Sequence, residues 1–229
     1  MQGSVAVMID WFPPAPDRHR DATRTMHGLT RWRGICNLRR VARAIDAKDP
    51  ATTGHSDRVA ELAGRIAHEI GWVDRRVQEL REAARLHDVG KICVPDSILL
   101  TPGPLSPDEY EVIKQHAAAG ARIVSTVLDD HQVAWVRHHH ERWDGRGYPD
   151  RLEGDEIPEG AAILSVADAW DAMTHRSWVG DALSEAAAVR ECRQEAGHQF
   201  APWAVEALEA ALRDCERRPP VPLVLLSAA

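Results

Sequence analysis

His87-Asp88-Val89-Gly90-Lys91, then a lone His116, then His139-His140-Glu141 running into Asp144-Gly145-Arg146-Gly147-Tyr148-Pro149, and finally Val166-Ala167-Asp168, form the stretch on which the fold turns. Between residues 87 and 168 the chain repeatedly sets histidine and aspartate where a helical protein would otherwise bury apolar side chains. No single piece decides the matter. Their order and chemistry together point to a hydrolytic metal site built on helices.

The surrounding periodicity is helical. From Arg33 to Lys48, Ile35, Leu38, Val41, Ala42 and Ile45 recur at helical spacing, and Asp49-Pro50 closes the segment. A second helix begins near Gly54 and carries Val59, Leu62, Ala63, Ile66, Ala67 and Ile70 inward until Gly71 stops it. One turn back along that stripe lies His55, which should point to the core. A third helix, Asp74 to about His87, delivers His87 and Asp88 on one side, with Gly90 as its stop. A fourth follows Pro104 to Pro107 and flanks His116 with Ile113 and Ala117, and a fifth runs from Asp130 to His140. A sixth places Ala161, Leu164 and Asp168 on one face, and amphipathic segments at Leu183 to Ala196 and Pro202 to Arg213 finish the pattern. No strand-like alternation of any length competes, so the class is all-α. Residues 1–32, with Pro13, Pro14 and Pro16 and no sustained period, are expected to form an irregular arm; 33–216 form the domain and 217–229 a tail.

Composition narrows the function. The chain of 229 residues is 44% hydrophobic and 28% charged, with a formal net charge of -7. Such a chain offers no global positive field for a long nucleic acid, although a small anion can still meet a local pocket of metal and lysine. Cys36, Cys93, Cys192 and Cys215 lack the close pairing of structural zinc or redox motifs and are expected to be reduced, buried thiols of a cytoplasmic protein. No apolar run approaches the roughly 20 residues that cross a bilayer, so no membrane is expected as partner. The first ten residues lack the basic region of a signal peptide.

A lone histidine on an apolar face is more often a hydrogen-bonded core residue than a ligand. Here His55, His87, Asp88, His116, His139, His140 and Asp168 together supply five imidazoles and two carboxylates, more than one ion requires. First-row divalent metals accept that mixture of donors. A carboxylate such as Asp88 can bridge two ions, the arrangement that activates water and stabilises both oxygens of a phosphoryl displacement. His19, His27, His131, His138, His175 and His198 read as structural or solvated. Successive helical residues turn by about 100°, so His138, His139 and His140 cannot all face one way.

These motifs resemble the HD-GYP family, a group of metal-dependent phosphohydrolases of the HD superfamily, over about residues 40–210. His87-Asp88 with Gly90-Lys91 is similar to the HD-x-G-K signature, and residues 139–149 are close to the full hallmark segment. Gly54-His55-Ser56 with Arg58-Val59, Ile157-Pro158, and Val166-Ala167-Asp168 with Asp171-Ala172 fall in place as well. The resemblance implies an HD-type helical bundle around a bi-metal centre, usually of iron or manganese, that hydrolyses cyclic di-GMP to pGpG and sometimes on to GMP. It implies the seven residues above as metal ligands, with His139 and His140 chosen over His138 and with Asp88 bridging. Some members add a glutamate one turn before the first histidine for a third ion; that position is Ala51 here, so two ions are expected. Lys91 should hold a non-bridging phosphate oxygen. Gly145 and Gly147 should shape a loop beside the pocket, with Tyr148 packing or stacking there.

Two departures bear on substrate. The family's basic stretch after Asp171-Ala172 reads Thr174-His175-Arg176-Ser177-Trp178-Val179-Gly180-Asp181, leaving Arg176 as the candidate phosphate contact, and a Phe-Asp-Pro segment becomes Phe200-Ala201-Pro202. Two classes of function stay open: a phosphodiesterase on a cyclic dinucleotide or related nucleotide, and a low-activity binding module. The second would sense nucleotide or dock another signalling protein through the Gly-Tyr-Pro loop; a homodimer stays open as a further assembly.

Overall fold

Helix α2 (His55–Glu69) is the frame on which the site hangs, because its stripe of Val59, Leu62, Ala63, Ile66 and Ala67 is wholly buried. It packs on α3 (Asp74–Ala84), α7 (Glu159–His175) and α9 (Pro202–Arg217). Each fully buried Ile or Leu on such a stripe, Ile66 and Leu80 among them, contributes roughly 1.5–3 kcal/mol relative to exposure. A computed structural model describes residues 18–48, 52–175 and 182–217. Helix α1 (Arg18–Asp46) leads into α2. A 3-10 turn (Val89–Cys93) and short α4 (Asp96–Leu99) follow α3. Next come α5 (Pro107–Val124), α6 (Asp130–His138), α7, α8 (Glu185–Gln194) and α9. Among the described residues the class is all-α, with two isolated β-bridges, Asp144–Glu153 and Ala196–Phe200.

Local chemistry fixes the ends of the elements that carry the site. Ser106 and Glu109 close a reciprocal box at the start of α5: Ser106 Oγ accepts from Glu109 N at 3.3 Å, and Ser106 N donates to Glu109 Oε2 at 2.8 Å. The first turn of α2 is capped from a distance by buried Asp46 of α1, which accepts from Ser56 N and Ser56 Oγ, both at 3.0 Å. Gly54 enters that turn at φ 75°, a conformation that favours glycine.

Four expectations need correction. The first helix starts at Arg18, so residues 18–32 are helical rather than an irregular arm. After Pro16 no proline interrupts a helix, and where its side chains are described this segment faces solvent: Leu29 and Trp32 are 54% and 53% exposed. Gly90 does not stop α3, which ends at Ala84; it lies inside the 3-10 turn, where an added Cβ would meet His116 O at 2.0 Å. Helix α6 ends at His138, two residues short of His140. Cys36, Cys93 and Cys192 are free but not uniformly buried, for Cys93 is exposed and Cys36 half-buried while Cys192 is buried; the side chain of Cys215 lies outside those described.

Candidate metal centre

Five elements converge on one small volume. His55 opens α2, His87 and Asp88 occupy the turn after α3, His116 lies within α5, His139 and His140 follow α6, and Asp168 projects from α7. His55, His87, Asp88, His116 and His139 are all at most 5% exposed. Two donor sets form, His55-His87-Asp88 and Asp88-His116-His139-His140, with the donor atoms of each within 4.8 Å of one another. Asp88 belongs to both. Its Oδ2 lies 3.4 Å from His87 Nε2 and its Oδ1 lies 3.3 Å from His116 Nε2. Asp168 Oδ1 lies 3.1 Å from His55 Nε2 and 3.9 Å from His87 Nε2. His116 Nε2 and His139 Nε2 approach to 3.4 Å.

The outer nitrogens show why these rings face inward. His87, His116 and His139 each place Nδ1 at 2.7 Å from the carbonyl three residues earlier, of Ala84, Ile113 and Val136, and His55 Nδ1 lies 2.7 Å from Asp171 Oδ2. A proton on each Nδ1 leaves Nε2 with its lone pair directed into the centre, the orientation that metal-bound imidazoles need. His55 Nε2, His87 Nε2 and Asp88 Oδ1 are buried without a hydrogen-bond partner. Stranding three buried polar atoms costs about 1–3 kcal/mol each, and a cation shared through Asp88 satisfies all three. The donor set therefore fits divalent metal.

Electrostatics agree. Burial would raise Asp88, but Lys91, His87, His116 and His55 hold it well below the usual carboxylate range; hydrogen bonding and charge from His55 do the same for Asp168. Burial pushes His116, His139 and His140 down, His140 to about 3, so these rings stay neutral and ready to bind. His55 goes the other way. Burial opposes its protonation, yet the Asp168 carboxylate 3.1 Å from Nε2, the Asp171 carboxylate on Nδ1 and the charge of Asp88 raise it to about 10.

Three supporting residues escaped the sequence reading. Asp171 accepts two contacts from Arg58, at 2.6 and 2.9 Å, while it orients His55. Both oxygens of Glu141, 2% exposed, are taken up by the backbone N–H groups of Asp150, Arg151 and Leu152, at 2.7, 3.1 and 3.2 Å. That carboxylate anchors the Gly-Tyr-Pro loop and holds Arg151 at φ 57°. Asp46 shapes the start of α2, as described above. Asp171 and Glu141 stand inside motifs quoted from the sequence, but only the tertiary partners show what they do. His138 turns away from the centre to Asp150, at 2.8 Å.

Lys91 Nζ lies 2.5 Å from Asp88 Oδ2 at the edge of the centre. Tyr148 tilts over His140 with ring centroids 4.9 Å apart. Gly145 adopts φ 72°, and a Cβ on Gly147 would lie 2.3 Å from Arg142 N, so the loop needs both glycines. A cavity of about 290 Å³ opens from Asp88, Lys91, His116, His140, Tyr148 and Asp168. Arg176 and Ala51 lie outside the described residues.

A family model described as an HD domain matches residues 39–202. The chain belongs to the HD-domain family. Within this family it is similar to a cyclic di-GMP phosphodiesterase of Thermotoga maritima, 43% identical over 179 residues that cover 75% of this chain and 48% of that one. It is also similar to the cyclic di-GMP phosphodiesterase response regulator RpfG of Xanthomonas campestris pv. campestris, at 40% identity with 75% and 46% covered. The chain thus spans about half the length of these relatives. Among solved structures, a cyclic GMP-AMP-specific phosphodiesterase of V. cholerae shares the fold at TM-score 0.62 and 18% identity, with 78% of this chain and 48% of that one covered. The HD-GYP resemblance read from the motifs stands. No helix among the described residues is long and apolar enough to cross a membrane.

Proposed function

We propose that this domain is a phosphodiesterase that hydrolyses cyclic di-GMP to pGpG at a centre of two divalent ions, iron or manganese. The observation that carries the reading is the pair of donor sets sharing Asp88, the arrangement a two-ion clamp requires. His55, His87, Asp88 and Asp168 would hold one ion, and Asp88, His116, His139 and His140 the other. Bound there, the ions supply an activated water and charge stabilisation for both the attacking and the leaving oxygen of the displacement.

The remaining roles belong to the chain. Asp171 and the three backbone carbonyls fix the imidazoles, so little reorganisation accompanies reaction. Lys91, whose side chain is 17% exposed, shares Asp88 with the ions and offers its ammonium to a non-bridging phosphate oxygen. Tyr148 walls the pocket beside His140 and keeps water from that side of the substrate. In hydrolysis the oxygen of water bonds to phosphorus, the phosphorus–O3′ bond breaks, and the departing O3′ takes a proton. The product is a linear dinucleotide with a 5′-phosphate.

The test is hydrolysis of cyclic di-GMP by protein reconstituted with ferrous iron or manganese, run beside Asp88→Ala, with metal content determined on the same samples. Metal-dependent formation of pGpG that the variant loses by several orders of magnitude is the expected result. About two bound ions with no turnover would move the reading to another cyclic dinucleotide, such as cyclic GMP-AMP, or to a binding module.

A further inference from the structure

A second concavity, of about 810 Å³, lies between α5 and the Gly-Tyr-Pro loop, and Tyr148 is common to it and to the cavity of the metal centre. Tyr110, Lys114 and Arg122 line it from α5, and Arg146 and Arg151 from the loop. Among its lining residues Glu111 carries the one carboxylate, and Lys114 takes it at 2.5 Å. Arg122, Arg146 and Arg151 enter no ion pair among the described residues, nor do Arg33, Arg40, Arg65 and Arg190, but the first three share one concavity. Asp144, which feels the Arg146 charge, is held by Arg142 at 2.9 Å. In a chain of net charge -7, three guanidiniums outside any ion pair on one concave wall leave a local positive field.

Aromatic groups sit among those cations. Tyr110 is 48% exposed, and its ring stands at 84° to that of Tyr148 with centroids 6.4 Å apart. The Lys114 ammonium lies 5.3 Å and 5.8 Å from the two ring centroids. An exposed ring beside cations suits a base and its phosphate, for bases stack on aromatic side chains while the backbone follows positive charge. The volume falls in the range of small-molecule sites. Tyr148 is the wall common to both cavities, and its ring lies 4.9 Å from that of His140 on the side of the centre.

We propose that this groove is a nucleotide subsite of the same centre: Lys114 and Arg146 hold the phosphate, and Tyr110 stacks the base, of the half of a cyclic dinucleotide that the metals do not hold. The inference rests on the phosphodiesterase reading above.

The test compares manganese-loaded wild type with Lys114→Ala/Arg146→Ala and with Tyr110→Leu, on cyclic di-GMP and on bis(p-nitrophenyl) phosphate, a diester too small to reach the groove. Loss of charged phosphate contacts should raise KM for cyclic di-GMP about tenfold or more, with kcat and the small diester changed less than about threefold. An unchanged KM, or equal impairment of both diesters, would overturn the subsite. Calorimetric titration of pGpG into the same proteins separates this inference from the reading beneath it. If wild type cleaves neither diester, the phosphodiesterase reading fails on its own, and the groove is judged by pGpG alone. Binding weakened about tenfold in the double variant supports the subsite, while equal affinity, or no binding by wild type, overturns it.

Discussion

Glu141→Gln tests how the Gly-Tyr-Pro loop is held. The native carboxylate is buried and accepts three backbone N–H groups, two on Oε1 from Asp150 and Arg151 and one on Oε2 from Leu152. Glutamine keeps the shape and one acceptor oxygen but turns an NH2 toward an N–H donor. Leaving one buried donor unmatched costs about 1–3 kcal/mol, and the two remaining bonds lose their charge assistance, so the total should be about 2–4 kcal/mol. For a domain of this size 1 kcal/mol moves Tm by about 2–4 °C, which places the expected drop on the order of 5–15 °C. Thermal unfolding followed by circular dichroism measures it. Amide exchange measured alongside should quicken at Asp150, Arg151 and Leu152 before it does in α2. A drop under about 2 °C, set against that expected range, would refute the claim that this carboxylate is the anchor of the loop.

Two further outcomes follow from the same geometry. Asp171→Asn removes the charged partner of His55 and Arg58 and should weaken retention of the ion on the His55 side about 10- to 100-fold in a chelator competition, as outer partners of metal-bound histidines do; retention equal to wild type would show that His55 needs no such partner. In chelator-treated protein, stability should peak near pH 6.5. Below it, His140, held at about 3 by burial and by His116, refuses a proton that the unfolded chain accepts; above it, His55, raised to about 10, surrenders the stabilising proton it keeps at lower pH. Urea midpoints across pH 4 to 9.5 check both limbs, and a midpoint that does not fall on the alkaline side would contradict the assigned role of His55.

The legible part of the chain was the part where chemistry and burial conflict. A histidine in an apolar stripe stands out, so His55, His87 and His116 could be picked from sequence together with the helices that carry them. Resolving His138 from His139 and His140 was harder on a helix, because the structure does not solve the problem with one. Helix α6 ends at His138, and the next two rings fold back in a turn with centroids 4.0 Å apart. Gly90 illustrates a second limit. A glycine after a helix reads as a stop, but here its missing side chain lets the 3-10 turn lie against the backbone of His116 and Gly120, a contact between segments far apart in sequence. The early start of α1 left no signal of period, and polar partners such as Val127 O and Asp129 for Arg31 cannot be read from spacing.

The way the rings are locked divides the centre into unequal halves. His116 and His139 donate to backbone carbonyls of their own turns, as His87 does, neutral acceptors that add little basicity to the far nitrogen. His55 answers to Asp171, a carboxylate that strengthens Nε2 as a ligand and, in the absence of an ion, as a base. Any cation entering the Asp88-His116-His139-His140 set meets rings already neutral. One entering beside His55 must displace a proton first, so acidity opposes that half more strongly. The asymmetry is held by the Arg58–Asp171 pair, outside the ligand shell, where Arg58 and Asp171 also line a surface groove with His175. On the two-ion reading proposed above, the affinity of the ion beside His55 would be set from the back of the site without altering a single ligand.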